Sequence, residues 1–126
     1  MSLAFPDSYE STITTEPYRK GASLEERKVG KLPMHLVVEG FPLLKRELAR
    51  MMQWAAEVKG YLPHDWKKMT VGEFKSAQHR HESKRLIDGP LDDESNLMHL
   101  VHEAFNAMAA AEVALADREA QDGRKA

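Results

Sequence analysis

The sequence predicts an all-α protein: a small helical bundle of three to four helices with an extended N-terminal arm, completed by oligomerisation. Three observations predict it. No stretch alternates apolar and polar residues as a half-buried strand does, and no hairpin turn pair occurs. Gly and Pro fall at Gly40-Phe41-Pro42, Gly60 and Gly89-Pro90, and they divide the chain into segments of helical length. Between Pro42 and Lys59, Leu44, Leu48, Met51, Ala55 and Val58 recur at i, i+4, i+7, i+11 and i+14, the spacing of one helix face.

The elements follow in order. Residues 1–31 carry no periodic pattern and are rich in Ser, Thr, Pro and Gly, so they read as an extended or disordered arm. An arm laid over a neighbouring subunit would be anchored by Tyr9, Ile13 and Tyr18. Its end is basic, with Arg19, Lys20, Arg27, Lys28 and Lys31, and such a segment can hold phosphates or simply be solvated. A helical domain spans 32–118. Pro33 suits the first turn of a short helix reaching about Glu39. The second helix runs from Pro42 to Lys59 and stops at Gly60, a common C-terminal cap. Glu47 lies on the flank of its apolar stripe, where it can reach inward or stay at the surface. Tyr61 to Trp66 form a loop with two large aromatics, which either face a ligand or plug the end of the core. Thr70 followed by Glu73 has the capping-box form and starts a third helix that runs to about Ile87. Phe74, Ala77, Gln78, His81 and Arg85 share one face of it, which turns His81 inward and leaves His79 and Glu82 off that line. Asp92 to Ser95 supply acids and a serine suited to a helix N-terminus, and no Gly or Pro follows until past Asp117, which predicts the fourth helix. Residues 119–126 form a charged tail.

The fourth helix carries the pattern with chemical content. His99, His102, Glu103 and Asn106 fall at i, i+3, i+4 and i+7 on one stripe, while Leu97, Val101, Ala104 and Met108 take the opposite side. A solvated face normally stays polar along its length. This one continues into Ala109, Ala110 and Val113, so the helix is expected to be buried on more than one side. Buried His, Glu and Asn need partners: a metal, a ligand or a hydrogen-bond network.

The totals bound the function. The chain of 126 residues fits one domain, with 42% hydrophobic and 30% charged residues. A net charge of -2 argues against nucleic-acid binding through a basic surface. The absence of cysteine excludes disulfides, zinc–thiolate sites and thiol catalysis. No apolar run approaches the roughly 18 residues of a membrane span, and the N-terminus lacks a signal-peptide layout, so a cytoplasmic location is the default.

Arg80-His81, Gly89, Asp92-x-Glu94-Ser95, His99-Leu100-x-His102 and Asn106 together resemble the signature of phage-type dATP/dGTP diphosphohydrolases, MazG-like members of the all-α nucleotide pyrophosphohydrolases. Gly60-Tyr61, Asp65-Trp66 and Lys31-Leu32-Pro33 resemble further segments of that family. The chain has Gly89-Pro90 where the family usually has Gly-Glu, and Asn96 where it usually has Gly. The resemblance implies hydrolysis of purine (deoxy)nucleoside triphosphates to the monophosphate and pyrophosphate, with Mg2+ or Mn2+ as cofactor. It also implies a homo-oligomer with sites between subunits and, for a phage protein, the host cytoplasm. It carries over His81, Asp92, Glu94, His99, His102 and Asn106.

Residue chemistry assigns expected roles. Hard cations favour oxygen, so Asp92, Glu94, Glu103 and Glu47 are the candidate metal ligands. Imidazole suits Mn2+ or another first-row metal better, and His81, His99 and His102 are otherwise candidate acid–base groups or phosphate donors. Lys31 and Arg80 suit phosphate oxygens, and Asn106 and Trp66 suit the base or sugar. Glu47, Glu103 and Lys31 enter from helix geometry or charge, not from the resemblance. The alternative is a scaffold that sequesters a nucleotide or nucleotide-derived signal without turnover. A protein with only macromolecular partners is the remaining possibility.

Overall fold

The structure, a computed structural model, describes residues 31–125. Four α-helices and one short 3-10 turn make up its elements: α1 (Met34–Gly40), α2 (Pro42–Lys59), the turn Asp65–Lys68, α3 (Val71–Asp88) and α4 (His99–Lys125). No strand occurs among the described residues; the only sheet-like pairing among them is an isolated antiparallel bridge between Leu91 and Met98. None of these helices is long and apolar enough to cross a membrane. Apart from Lys31, the expected arm and its anchors Tyr9, Ile13 and Tyr18 lie outside the described residues.

The chain divides into two compact units at Pro42/Leu43. The described part of the first holds α1, which has no buried residue. The second carries α2, α3 and α4 and the core.

That core has two parts, and α4 belongs to both. Leu48 and Met51 of α2 pack with Val101 of α4, flanked by Leu44, Trp54, Leu97 and Phe105. Phe74 of α3 packs on Ala109 and Ala110 of α4, flanked by Trp66, Phe105 and Val113. The two small residues let a whole phenyl ring sit against the helix, and Phe74 is 1% exposed. Trp66, Phe74 and Phe105 form a triangle of edge-to-face contacts with centroids 5.9 to 6.3 Å apart, the preferred geometry of aromatic pairs. Trp66 therefore closes the end of the core.

Four expectations change. Helix α4 starts at His99, not at the Asp92–Ser95 acids, and has no acidic residue in its first turn. Asn96 takes the left-handed conformation, φ 60°, which interrupts any helix begun upstream. The Asp92 carboxylate instead accepts the Ser95 amide at 2.9 Å, closing an Asx turn. At the other end, α4 runs on through the expected charged tail as far as Lys125. The segment from Ala109 to Gln121 is rich in Ala, the strongest helix former, and contains no Gly or Pro. Val58, expected in the α2 core stripe, is exposed, because the α2 residues that pack in the core, Leu44 to Trp54, end a turn before it. Met108, expected on the apolar side of α4, is exposed as well.

Candidate functional site

The site grows from two helices and the loop between them. A capping box fixes the start of α3: Thr70 Oγ1 accepts the Glu73 amide at 3.1 Å, and Glu73 Oε2 accepts the Thr70 amide at 3.3 Å. Phe74 then anchors the inner face, and His81 follows seven residues later on the same face. On α4 the polar stripe turns inward as expected. His99, His102 and Asn106 are 2%, 5% and 7% exposed. Glu103 is nearly buried too, and Arg85 grips it with two bonds, Nε to Oε2 at 2.8 Å and Nη2 to Oε1 at 3.2 Å. This bidentate pair braces α3 against α4.

Between the helices, residues 90–98 fold back on themselves. The Asp92 amide donates to the Leu97 carbonyl, and the His99 amide donates to the Pro90 carbonyl, both at 2.8 Å. This closed loop carries Asp92 into the interior, where it is 3% exposed. Its Oδ2 accepts both the amide and the hydroxyl of Ser95 at 2.9 Å. Ser95 Oγ lies 2.7 Å from His102 Nε2 and also accepts the Leu97 amide at 3.2 Å. The hydroxyl has one proton, and a carboxylate can only accept. Ser95 therefore donates to Asp92, and His102 Nε2–H donates to Ser95. A relay His102–Ser95–Asp92 results, with His102 Nε2 itself 3.8 Å from Asp92 Oδ2.

His81 completes the cluster. Its ring stacks on His102, with centroids 4.3 Å apart and planes 5° apart. Its Nδ1 lies 3.0 Å from His99 Nδ1. Trp54 of α2 meets His102 edge-on at 5.9 Å. His81, Asp92 and His99 each present a ligand atom, and these atoms lie within 4.8 Å of one another. Among the described residues, no buried side-chain nitrogen or oxygen lacks a partner.

Electrostatics follow from this packing. Burial, reinforced by neighbouring His102, pushes His81 down to about 4 despite the opposing charge of Asp92. Burial likewise lowers His102, against the pull of Asp92 and with help from His99. Both imidazoles are neutral at pH 7. For Asp92, burial acts upward, but the two Ser95 bonds and the nearby His102 and His81 outweigh it and hold the carboxyl below its ordinary value.

The cluster opens on a cavity of about 990 Å³ within the second unit, a size suited to a small-molecule ligand. Met51, Trp54, Trp66, Phe74 and Phe105 give it an apolar wall, and Lys59, Lys68, Arg80 and Lys84 bring positive charge. Of the residues singled out in the sequence, His81, Asp92, His102 and Asn106 line it together, and His99 lies behind His81. Asn106 is held by a bond from its Nδ2 to the His102 carbonyl at 2.8 Å. Trp66, Arg80 and Glu94 also line the cavity; the Glu94 side chain is 61% exposed and lies 3.4 Å from Lys59 Nζ.

Two of the expected carboxylates are engaged by arginines. Glu47 is held by Arg46 and Arg50 at 3.0 and 2.8 Å and does not line the cavity. The Glu103 carboxylate is taken by Arg85 at both oxygens. Lys31 lies in the first unit. Sequence reasoning gave Ser95 no role in the site chemistry, and gave Trp54 and Lys59 none at all. Ser95 had a signal, its position three after Asp92, which is the spacing of an Asx turn. Trp54 and Lys59 had none, because only the fold sets the last turns of α2 beside His102 and Glu94.

A family model described as dATP/dGTP diphosphohydrolase, N-terminal, matches residues 21–123. No curated protein and no solved structure matches the chain.

Proposed function

The chain belongs to the dATP/dGTP diphosphohydrolase N-terminal family, and from that premise we propose that it hydrolyses purine (deoxy)nucleoside triphosphates with Mg2+ or Mn2+. The products are the nucleoside monophosphate and pyrophosphate, and the role is adjustment of a nucleotide pool. The observation that carries this reading is the cluster of half-buried His81 with buried Asp92, His99 and His102 at one end of an apolar cavity with basic residues around it. The apolar wall suits a purine. Lys59, Lys68, Arg80 and Lys84 suit a polyphosphate, whose charge must be balanced before water can approach.

In the reaction, water adds to the α-phosphorus and the bond to the α,β-bridging oxygen breaks, releasing pyrophosphate. The water must lose a proton. His102 is neutral and commits Nε2–H to Ser95, which leaves Nδ1 as its basic nitrogen. When it takes the proton, the Ser95–Asp92 relay stabilises the imidazolium. A divalent ion would be held at Asp92, the one buried carboxylate of the cluster, where it would neutralise phosphate charge and acidify bound water. Arg80 would position phosphate oxygens, and Trp66 and Asn106 would face base or sugar.

A second reading is sequestration without turnover. It is favoured by the engagement of Glu47 and Glu103 with arginines, which leaves few carboxylates for a metal. A panel of dATP, dGTP, ATP and GTP with Mg2+ and with Mn2+ separates the two. Hydrolysis predicts steady pyrophosphate release, reduced about 10²- to 10⁴-fold in His102→Ala, the usual contribution of a general base. Ligand recovered intact and stoichiometric after denaturation, without pyrophosphate, would establish sequestration.

A further inference from the structure

We propose, resting on the diphosphohydrolase reading, that His81 Nδ1, His99 Nδ1 and a carboxylate oxygen of Asp92 bind one six-coordinate first-row transition ion such as Mn2+, Fe2+ or Co2+, in preference to Mg2+. Of the roles open to them in the sequence, this assigns His81 and His99 to metal binding and not to acid–base chemistry. His102 is left for proton transfer.

The donor set is the first argument. Mg2+ demands oxygen ligands, whereas imidazole nitrogen suits first-row transition ions. An all-oxygen site is not available at this cluster. Arginines hold Glu47 and Glu103, and Glu94 is exposed beside Lys59. Asp92 remains, and the possible ligands beside it are the imidazoles of half-buried His81 and buried His99.

Geometry is the second. The two Nδ1 atoms are 3.0 Å apart. With metal–nitrogen bonds of about 2.1 Å, ligands at a right angle stand about 3.0 Å apart and ligands at the tetrahedral angle about 3.4 Å. The observed separation matches an octahedral edge. Two histidines and one carboxylate would occupy three positions, leaving three for water and phosphate oxygens, a donor pattern familiar from open transition-metal sites.

Third, each ligand is already oriented. His81 is stacked flat on His102. The His99 amide is tied to Pro90, and its ring is 2% exposed. Two Ser95 bonds fix Asp92. Such outer contacts set ligand orientation at metal sites. Without the ion, one Nδ1 carries the proton that the other accepts, since two lone pairs do not face each other at 3.0 Å. Binding moves that proton to Nε2 of the same ring, so the net proton count is unchanged.

The test uses the full chain stripped with chelator. Mn2+ is titrated and followed by its electron paramagnetic resonance signal, and Mg2+ is then added as competitor. One equivalent of Mn2+ should bind, and Mg2+ should displace it only at about 100-fold excess or more. His81→Gln, at a half-buried position that tolerates change better than His99, should weaken Mn2+ at least about tenfold. Co2+ should give the weak visible absorption of a six-coordinate ion. Equal Mn2+ and Mg2+ affinity, unchanged affinity in His81→Gln, or an intense four-coordinate Co2+ spectrum would overturn the site. Pyrophosphate release is read in the same samples. Release with Mg2+ alone and no Mn2+ preference removes this site and keeps the hydrolase. Tight Mn2+ binding without release keeps the site and removes the hydrolase.

Discussion

Ser95 is the smallest side chain in the cluster and makes the most contacts for its size. It joins Asp92 to His102 and accepts the Leu97 amide, so one hydroxyl sets both the carboxylate orientation and the imidazole tautomer. Ser95→Ala is expected to lower turnover about 10- to 100-fold, with recovery in Ser95→Thr, which restores the hydroxyl. A merely structural role would lower thermal stability in step with activity and would not discriminate the two variants. His81 supplies a prediction about acid. Its folded-state pKa of about 4 lies below the ordinary 6.5, so between those values the unfolded chain binds a proton that the folded one does not. Stability of the metal-free protein should therefore be level above pH 6.5 and fall as pH drops toward 4. Denaturation midpoints measured from pH 7.5 to 4.5 check this; a flat profile would show that His81 protonates without cost in the fold.

At the level of elements, the decisive piece is not a helix but the loop of residues 90–98. It is closed by the Leu91–Met98 bridge and turned by Asn96 at φ 60°. Glycine, the residue usual for the family here, adopts that conformation freely, and asparagine is among the few others that do so readily. The departure at this position thus keeps the backbone that buries Asp92. Asn96→Gly should leave stability and activity close to those of the parent. Asn96→Ala should cost about 1 kcal/mol in chemical denaturation and lower activity as Asp92 loses its place. At the other departure, Pro90 offers its carbonyl to the His99 amide but no carboxylate.

At the scale of the whole molecule, the core among the described residues is small and many of their large apolar side chains are exposed. Leu86, Ile87, Leu91, Met98 and Leu100 are each at least 45% exposed, and they cluster in sequence around the end of α3 and the start of α4. Apolar groups gathered in this way usually mark an interaction surface. Light scattering should return a multiple of the 14.3 kDa chain mass, and Leu100→Glu should lower it. A monomeric mass at tens of micromolar protein, by an order-of-magnitude scale for modest self-association, would count against self-assembly through this face.

Local chemistry was enough to determine much of this protein from its sequence. The α2 limits followed from Pro42 and Gly60, the start of α3 from its capping box, and the inward stripe of α4 from its continuation into Ala109 and Ala110. These features depend on residues a few positions apart. The family was legible for the same reason, since its motif is contiguous in the loop and first turns of α4. Only the tertiary structure decided which carboxylates remain available. Glu103 shares the His stripe, yet it is taken by Arg85, eighteen residues away on another helix. The stacking of His81 on His102 and the placement of Trp54 beside them arise from packing between helices. A one-helix periodicity shows which face a residue occupies, but the partner across that face is set by how the helices pack.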